Sequence, residues 1–118
     1  MNVQHAQVVI VGGGPGVSAS CGRLFSQNGM RVAVAARSPD KPALQALEAS
    51  HGVSRFACDA ARPEDVERLF RTVAADLGSP RLVVHNIDGR VAGIFRKGIV
   101  EADPAMALET LQNAAFSA

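Results

Sequence analysis

The stretch Gln7-Val8-Val9-Ile10-Val11-Gly12-Gly13-Gly14-Pro15-Gly16-Val17-Ser18 decides the fold. Its first five residues are mostly β-branched and apolar, as suits a strand buried on both faces of a sheet. The glycines and proline that follow break the strand. Beyond them Val17, Cys21, Leu24 and Phe25 recur at helical spacing, and Gly29 stands where a helix-ending glycine belongs. A glycine-rich turn between a first strand and a helix has a physical use. Bare backbone folds tightly and approaches a pyrophosphate, whose charge then rests on helix N–H groups and the positive end of the helix dipole.

Working outward, the same alternation continues. Arg31–Ala35, Val53–Ala57 and Arg81–His85 read as short strands. The first and last of these are nearly continuous apolar runs, again suggesting burial on both faces. Leu44 and Leu47 mark a short helix behind the turn Ser38-Pro39-Asp40-Lys41-Pro42. Val66, Leu69, Phe70, Val73 and Leu77 form a longer apolar stripe. Pro63, Glu64 and Asp65 open that helix, proline first and acids early, as the helix dipole favours, and Gly78-Ser79-Pro80 closes it. Asp103-Pro104 opens a last helix through Met106, Leu108 and Leu111. The order β-α-β-α-β-α-β-loop-α, with right-handed crossovers, predicts an α/β three-layer Rossmann-like fold with a parallel sheet in the order 3-2-1-4, incomplete at one edge.

A chain of 118 residues is long enough for one domain, read here as residues 1–118. Its net charge of +1 gives no electrostatic case for nucleic acid or an anionic membrane. No apolar run approaches the roughly 20 residues of a membrane span, and Met1–His5 lack the plan of a signal peptide. A cytoplasmic location is expected. The two cysteines, Cys21 and Cys58, fit no metal spacing and fall in apolar segments, where they read as small buried hydrophobes.

The glycine spacing leaves the ligand open. G-x-G-x-x-G finds Gly12 and Gly14 but meets Val17, whereas G-x-x-x-G-x-G finds Gly12 and Gly16 but meets Ser18; the string VVIVGGGP is also reminiscent of flavoproteins. The end of the second strand narrows the choice. NAD and FAD proteins usually place a carboxylate there to accept from the ribose hydroxyls. Here the residues are Ala35-Ala36-Arg37-Ser38. A guanidinium in place of an acid suits a 2′-phosphate, which it pairs bidentately. NADP is expected over NAD and FAD.

With these residues in view, the chain resembles the N-terminal, cofactor-binding half of short-chain dehydrogenases/reductases. The resemblance rests on Gly12 and Gly16, on Cys58-Asp59-Ala60 after the third strand, and on His85-Asn86-Ile87-Asp88-Gly89 after the fourth. It implies that Asp59 hydrogen-bonds the adenine amino group, with the Ala60 N–H on the ring, and that Asn86 holds the strand ends along the cofactor ribose. Ser18 departs from the family's last glycine, Ile87 and Asp88 from its small residues, and Val11 from a common threonine. His85 reads as a strand-end residue facing a neighbour. The cofactor-binding set is therefore Gly12, Gly14, Gly16, Val17, Arg37, Ser38, Asp59, Ala60 and Asn86.

The family's proton transfer uses a serine, a tyrosine and a lysine, and this chain contains no tyrosine. Its lysines, Lys41 in the turn after the second strand and Lys97 in a later loop, read as lying outside the site. The resemblance adds one candidate to the proton relay, Asn113 in the last helix. The leading reading is an oxidoreductase-family chain that binds NADP for hydride transfer with a carbonyl or alcohol substrate, its catalytic residues not in this chain. A small-molecule substrate is then expected only if a C-terminal half exists. The alternatives are a non-catalytic dinucleotide-binding or sensing module and a remnant that binds nothing. The apolar fourth strand carries no edge protection, so its outer hydrogen-bonding groups are expected to be paired, either in a longer protein or by another copy in a homo-oligomer.

Overall fold

The computed structural model describes residues 5–88 and 103–117. Strands β1 (Gln7–Val11), β2 (Arg31–Ala36), β3 (Ser54–Ala57) and β4 (Leu82–His85) form one parallel sheet in the order β3-β2-β1-β4. The helices are α1 (Val17–Gln27), α2 (Pro42–His51), α3 (Pro63–Asp76) and α4 (Pro104–Leu111), with a π-helical turn over Gln112–Phe116. Strand order and helix order are those the sequence predicts. Boundaries differ slightly: β2 runs on to Ala36, while β3 and β4 each start one residue late.

Successive side chains of a strand point to opposite faces, and the sheet uses both. Val8, Ile10, Val32 and Val34 pack with Ala19, Leu44 and Leu47 on the face covered by α1 and α2. Val9, Val11, Ala33 and Ala35 pack with Leu69 and Val73 of α3 on the other. Three layers result because β1 and β2 are apolar at every central position. The register sets Val11 beside Ala35 and His85, so the C-terminal ends of β1, β2 and β4 meet at one rim.

Helix ends follow local chemistry. After α1 the N–H of Met30 bonds the Phe25 carbonyl and the N–H of Gly29 bonds that of Ser26, a Schellman arrangement that needs Gly29 at φ 80°. Helix α3 begins at Pro63 with Glu64 and Asp65 in its first turn. Asp103 caps α4, its Oδ1 accepting from the Ala105 N–H at 2.9 Å.

The burial expected of β4 on both faces is not found. Leu82 and Val83 are 39% and 47% exposed. Among the described residues β4 pairs only with β1, whereas β1 and β2 each have a strand on both sides. The expected partner for the outer groups of 82–84 is therefore absent among the described residues. Helix α4 buries none of its residues, leaving Leu108 and Leu111 exposed. His85 Nε2 lies 3.0 Å from Ser117 Oγ, which ties the end of β4 to the end of the last helix, as a strand-end histidine facing a neighbour should be. The loop assigned to Lys97 lies outside the described residues.

Candidate functional site

A cleft of about 800 Å³ opens where the C-terminal ends of the strands meet. In an open α/β sheet this is where ligands bind, and the volume is within the range of a small-molecule or cofactor site.

The glycine turn forms its floor. The N–H groups of Gly12 and Gly13 both donate to the Ala35 carbonyl, at 2.9 and 3.0 Å, so the turn is pinned to the end of β2. Gly12 has φ 102°, and a Cβ there would collide with the Asn86 carbonyl. A Cβ on Gly13 would meet Val34 Cγ1 at 2.6 Å. These two glycines are needed by the fold. Gly14 and Gly16 are different: a Cβ on either would meet nothing within 4 Å. Both line the cleft and present bare backbone to it. No side chain caps α1 and no acid occupies its first turn, so its N-terminal positive end meets no carboxylate of its own helix. Val17, the first residue of α1, also lines the cleft.

Ser18 explains its own departure from glycine. It is buried, and its hydroxyl donates to the Gly12 carbonyl at 2.6 Å while accepting from Asn86 Nδ2 at 3.0 Å. Asn86 in turn donates its N–H to the Val11 carbonyl at 2.8 Å. The side chain therefore fills the space a glycine would leave and ties β4 to the turn.

At the far wall, Asp59 Oδ1 accepts from the Ala61 N–H at 3.0 Å, and Asp65 Oδ2 accepts from the Asp59 N–H at 3.0 Å. That second bond, with Arg68 and Arg62 nearby, holds the Asp65 carboxyl below its ordinary range. Asp59 and Ala60 both face the cleft. Cys58 also lines the cleft; burial first, then the carboxylates of Asp65 and Asp59, pushes its thiol pKa up.

The loop from β2 to α2 supplies two cations. Arg37 is exposed and lines the cleft. Lys41 corrects the reading that left it outside. It also lines the cleft, and its Nζ donates to the Gly13 carbonyl at 3.2 Å. The signal for it was its place four residues after Arg37 in a short loop that must return along the turn. Ser38 lies on that loop but does not line the cleft.

Residues 13–118 match the family model described as enoyl-(acyl carrier protein) reductase, one of the short-chain dehydrogenase/reductase models. The chain belongs to the short-chain dehydrogenase/reductase family. Among the curated proteins none matches significantly. Solved structures of the family share the fold. A short-chain type dehydrogenase/reductase from Mycobacterium marinum superposes with a TM-score of 0.82 at 20% identity, over 98% of this chain and 47% of its own. A short-chain dehydrogenase from Burkholderia cenocepacia in complex with NADP gives 0.77 at 24%, over 99% and 48%. The enoyl-(acyl-carrier-protein) reductase of Anaplasma phagocytophilum in complex with NAD gives 0.80 at 23%, over 99% and 46%. The chain spans about half the length of these structures.

Within this family framework, Asn113 is the last candidate to place. It sits in the π-helical turn and lines the cleft. Its carbonyl accepts from Ser117 Oγ. A π-turn re-aims helix residues and is frequent at functional sites. Among the described residues no group of acids, histidines and cysteines is arranged to hold a metal, and no helix is long and apolar enough to cross a membrane.

Proposed function

We propose that residues 1–118 are the dinucleotide-binding domain of an oxidoreductase, selective for NADP over NAD. The observation that carries this reading is the pair Arg37, just after β2, and Lys41, at the start of α2, beside a glycine turn whose Gly14 and Gly16 leave open backbone. The residues fit the cofactor. Gly14, Gly16 and the start of α1 would take the pyrophosphate, and Arg37 with Lys41 the 2′-phosphate. Asp59 and Ala60 would take the adenine, and Asn86 would lie along the ribose. The cofactor complexes of the Burkholderia and Anaplasma structures, one with NADP and one with NAD, are consistent with a nicotinamide dinucleotide here.

Bound NADPH supplies a hydride for a carbonyl, or accepts one from an alcohol as NADP. This chain's part is to hold and orient it. Asn113, on the cleft wall, is a candidate among the described residues for ordering a proton relay by hydrogen bonding. The edge of β4, which has no strand partner beyond β1 among the described residues and leaves Leu82 and Val83 exposed, supports its coverage by a further strand or another copy of the chain. The absence of tyrosine from the chain favours a second reading as well, a dinucleotide-binding module without chemistry of its own.

The test is titration of NADPH into the protein and into Arg37→Ala, followed by nicotinamide fluorescence. Loss of a bidentate, charge-assisted contact costs about 1.5–3 kcal/mol. An unchanged affinity in Arg37→Ala would remove the basis of the assignment.

A further inference from the structure

We infer that Arg55, on β3 and outside the cleft, is a positioning residue for phosphate discrimination, acting through the loop that carries Arg37 and Lys41. This rests on the reading of those two cations as the 2′-phosphate site.

The geometry is specific. Arg55 Nη1 donates to the Pro39 carbonyl and to Asp40 Oδ1, each at 3.0 Å. Its Nε and Nη2 donate to the two carboxylate oxygens of Glu48 on α2, at 2.8 and 3.3 Å. One guanidinium thus fastens the middle of the 37–41 loop to the helix that follows it. The Arg55 side chain is 20% exposed, whereas the carboxylates it holds are open to water, Asp40 at 85% and Glu48 at 50%, so the hold on the loop is geometric first and its charge part weakens with salt. Neither Arg55 nor Glu48 lines the cleft.

Two consequences follow for the loop. Arg37 and Lys41 flank Pro39 and Asp40 in sequence, so fixing the middle of the loop limits where both ends point. A planar fork with several donors does this better than an ammonium. Asp40 is also the carboxylate closest in sequence to both cations. An acid there opposes a 2′-phosphate unless its charge is answered, and Arg55 answers it. Arg55 therefore favours the phosphorylated cofactor twice, by holding the cations and by neutralising the acid between them. Arg55 touches neither the glycine turn nor Asp59 and Ala60; its one link to the turn runs through the Lys41–Gly13 bond at 3.2 Å, and the turn is also pinned to β2 by the Gly12 and Gly13 N–H groups, so NADH binding changes little.

The experiment measures NADPH and NADH affinities for the protein, Arg55→Met, Arg55→Lys, Arg37→Ala/Lys41→Ala and the triple variant, with thermal melting as a check on folding. Arg55→Met lowers NADPH affinity by roughly three- to tenfold, the scale of removing one member of a charge network, with NADH within about twofold. Arg55→Lys falls between the two. The Arg55→Met effect disappears once Arg37 and Lys41 are gone. If the parent prefers NADPH but Arg55→Met leaves the ratio unchanged, or weakens both cofactors equally, the inference is wrong while the phosphate reading stands. If the parent binds both cofactors equally, the phosphate reading fails and the inference with it. Arg55→Lys separates loss of fold from loss of positioning, since it keeps the charge and the stem but not the fork.

Discussion

The Asn86 side-chain amide donates to the hydroxyl of Ser18 at 3.0 Å across a sequence separation of 68 residues. Ser18 passes the connection on to the Gly12 carbonyl at 2.6 Å. The end of the edge strand β4, the glycine turn and the start of α1 are joined through one buried oxygen. Ser18→Ala removes both bonds and leaves the Asn86 amide to find water. The expected loss of stability is about 1–2 kcal/mol, read by urea denaturation. A variant as stable as the parent would mean that the hydroxyl is tolerated rather than used.

The glycines divide into two kinds, and substitution separates them. Gly12→Ala places a methyl group against the Asn86 carbonyl at a positive φ. Strain of about 1–3 kcal/mol adds to the collision, and the variant should be severely destabilised. Gly14→Ala meets open space. It should melt close to the parent yet bind NADPH more weakly, because the methyl group occupies the path to the backbone. Melting curves and titrations on both variants check this; weak folding in Gly14→Ala would show that the turn needs that glycine too.

Acid stability depends on Asp65, which accepts from the Asp59 N–H and carries a carboxyl pKa lowered from 3.8. A carboxylate lowered by folding contributes stability above its unfolded value, and the contribution is lost as pH falls through the folded value. In Asp65→Asn the stability–pH curve should be shallower below pH 3.8 and lower at neutral pH. Guanidinium unfolding across pH 2 to 7 supplies the measurement. Parallel curves for the two proteins would contradict the assignment.

How much of this was legible in the sequence depends on what each residue's role requires. Gln7–Val11, the glycine turn and the start of α3 at Pro63 were readable because each is set by local chemistry: β-branched packing, φ freedom, a missing N–H. The sheet order followed from crossover handedness. The exposure of β4 was not readable. Leu82-Val83-Val84 has the same composition as a central strand, and only its neighbours decide whether it is buried. Lys41 was missed for a related reason. Its place in the cleft rests on a bond to Gly13, 28 residues earlier in the chain, that nothing local announces. Ser18 was visible as a departure from glycine, but its use needed the position of Asn86.

Chemistry offers a further check. The chain contains no tyrosine, and general acid catalysis typically contributes about 10²–10⁴-fold. The purified chain is therefore expected to bind NADPH without oxidising it when offered a panel of ketones. Absorbance of the reduced nicotinamide follows the reaction. Steady turnover traced to this chain would require an acid other than tyrosine and would contradict the expectation.

The central claim is that Arg37 and Lys41 make this cleft a site for a 2′-phosphate. Calorimetric titration of NADPH and NADH into the same preparation at low salt tests it most directly, because the two ligands differ only in that group. The account predicts tighter binding of NADPH by about tenfold or more, the scale of one charge-assisted contact, with the difference shrinking as salt is raised. Equal affinity for the two, or a preference for NADH, would contradict it.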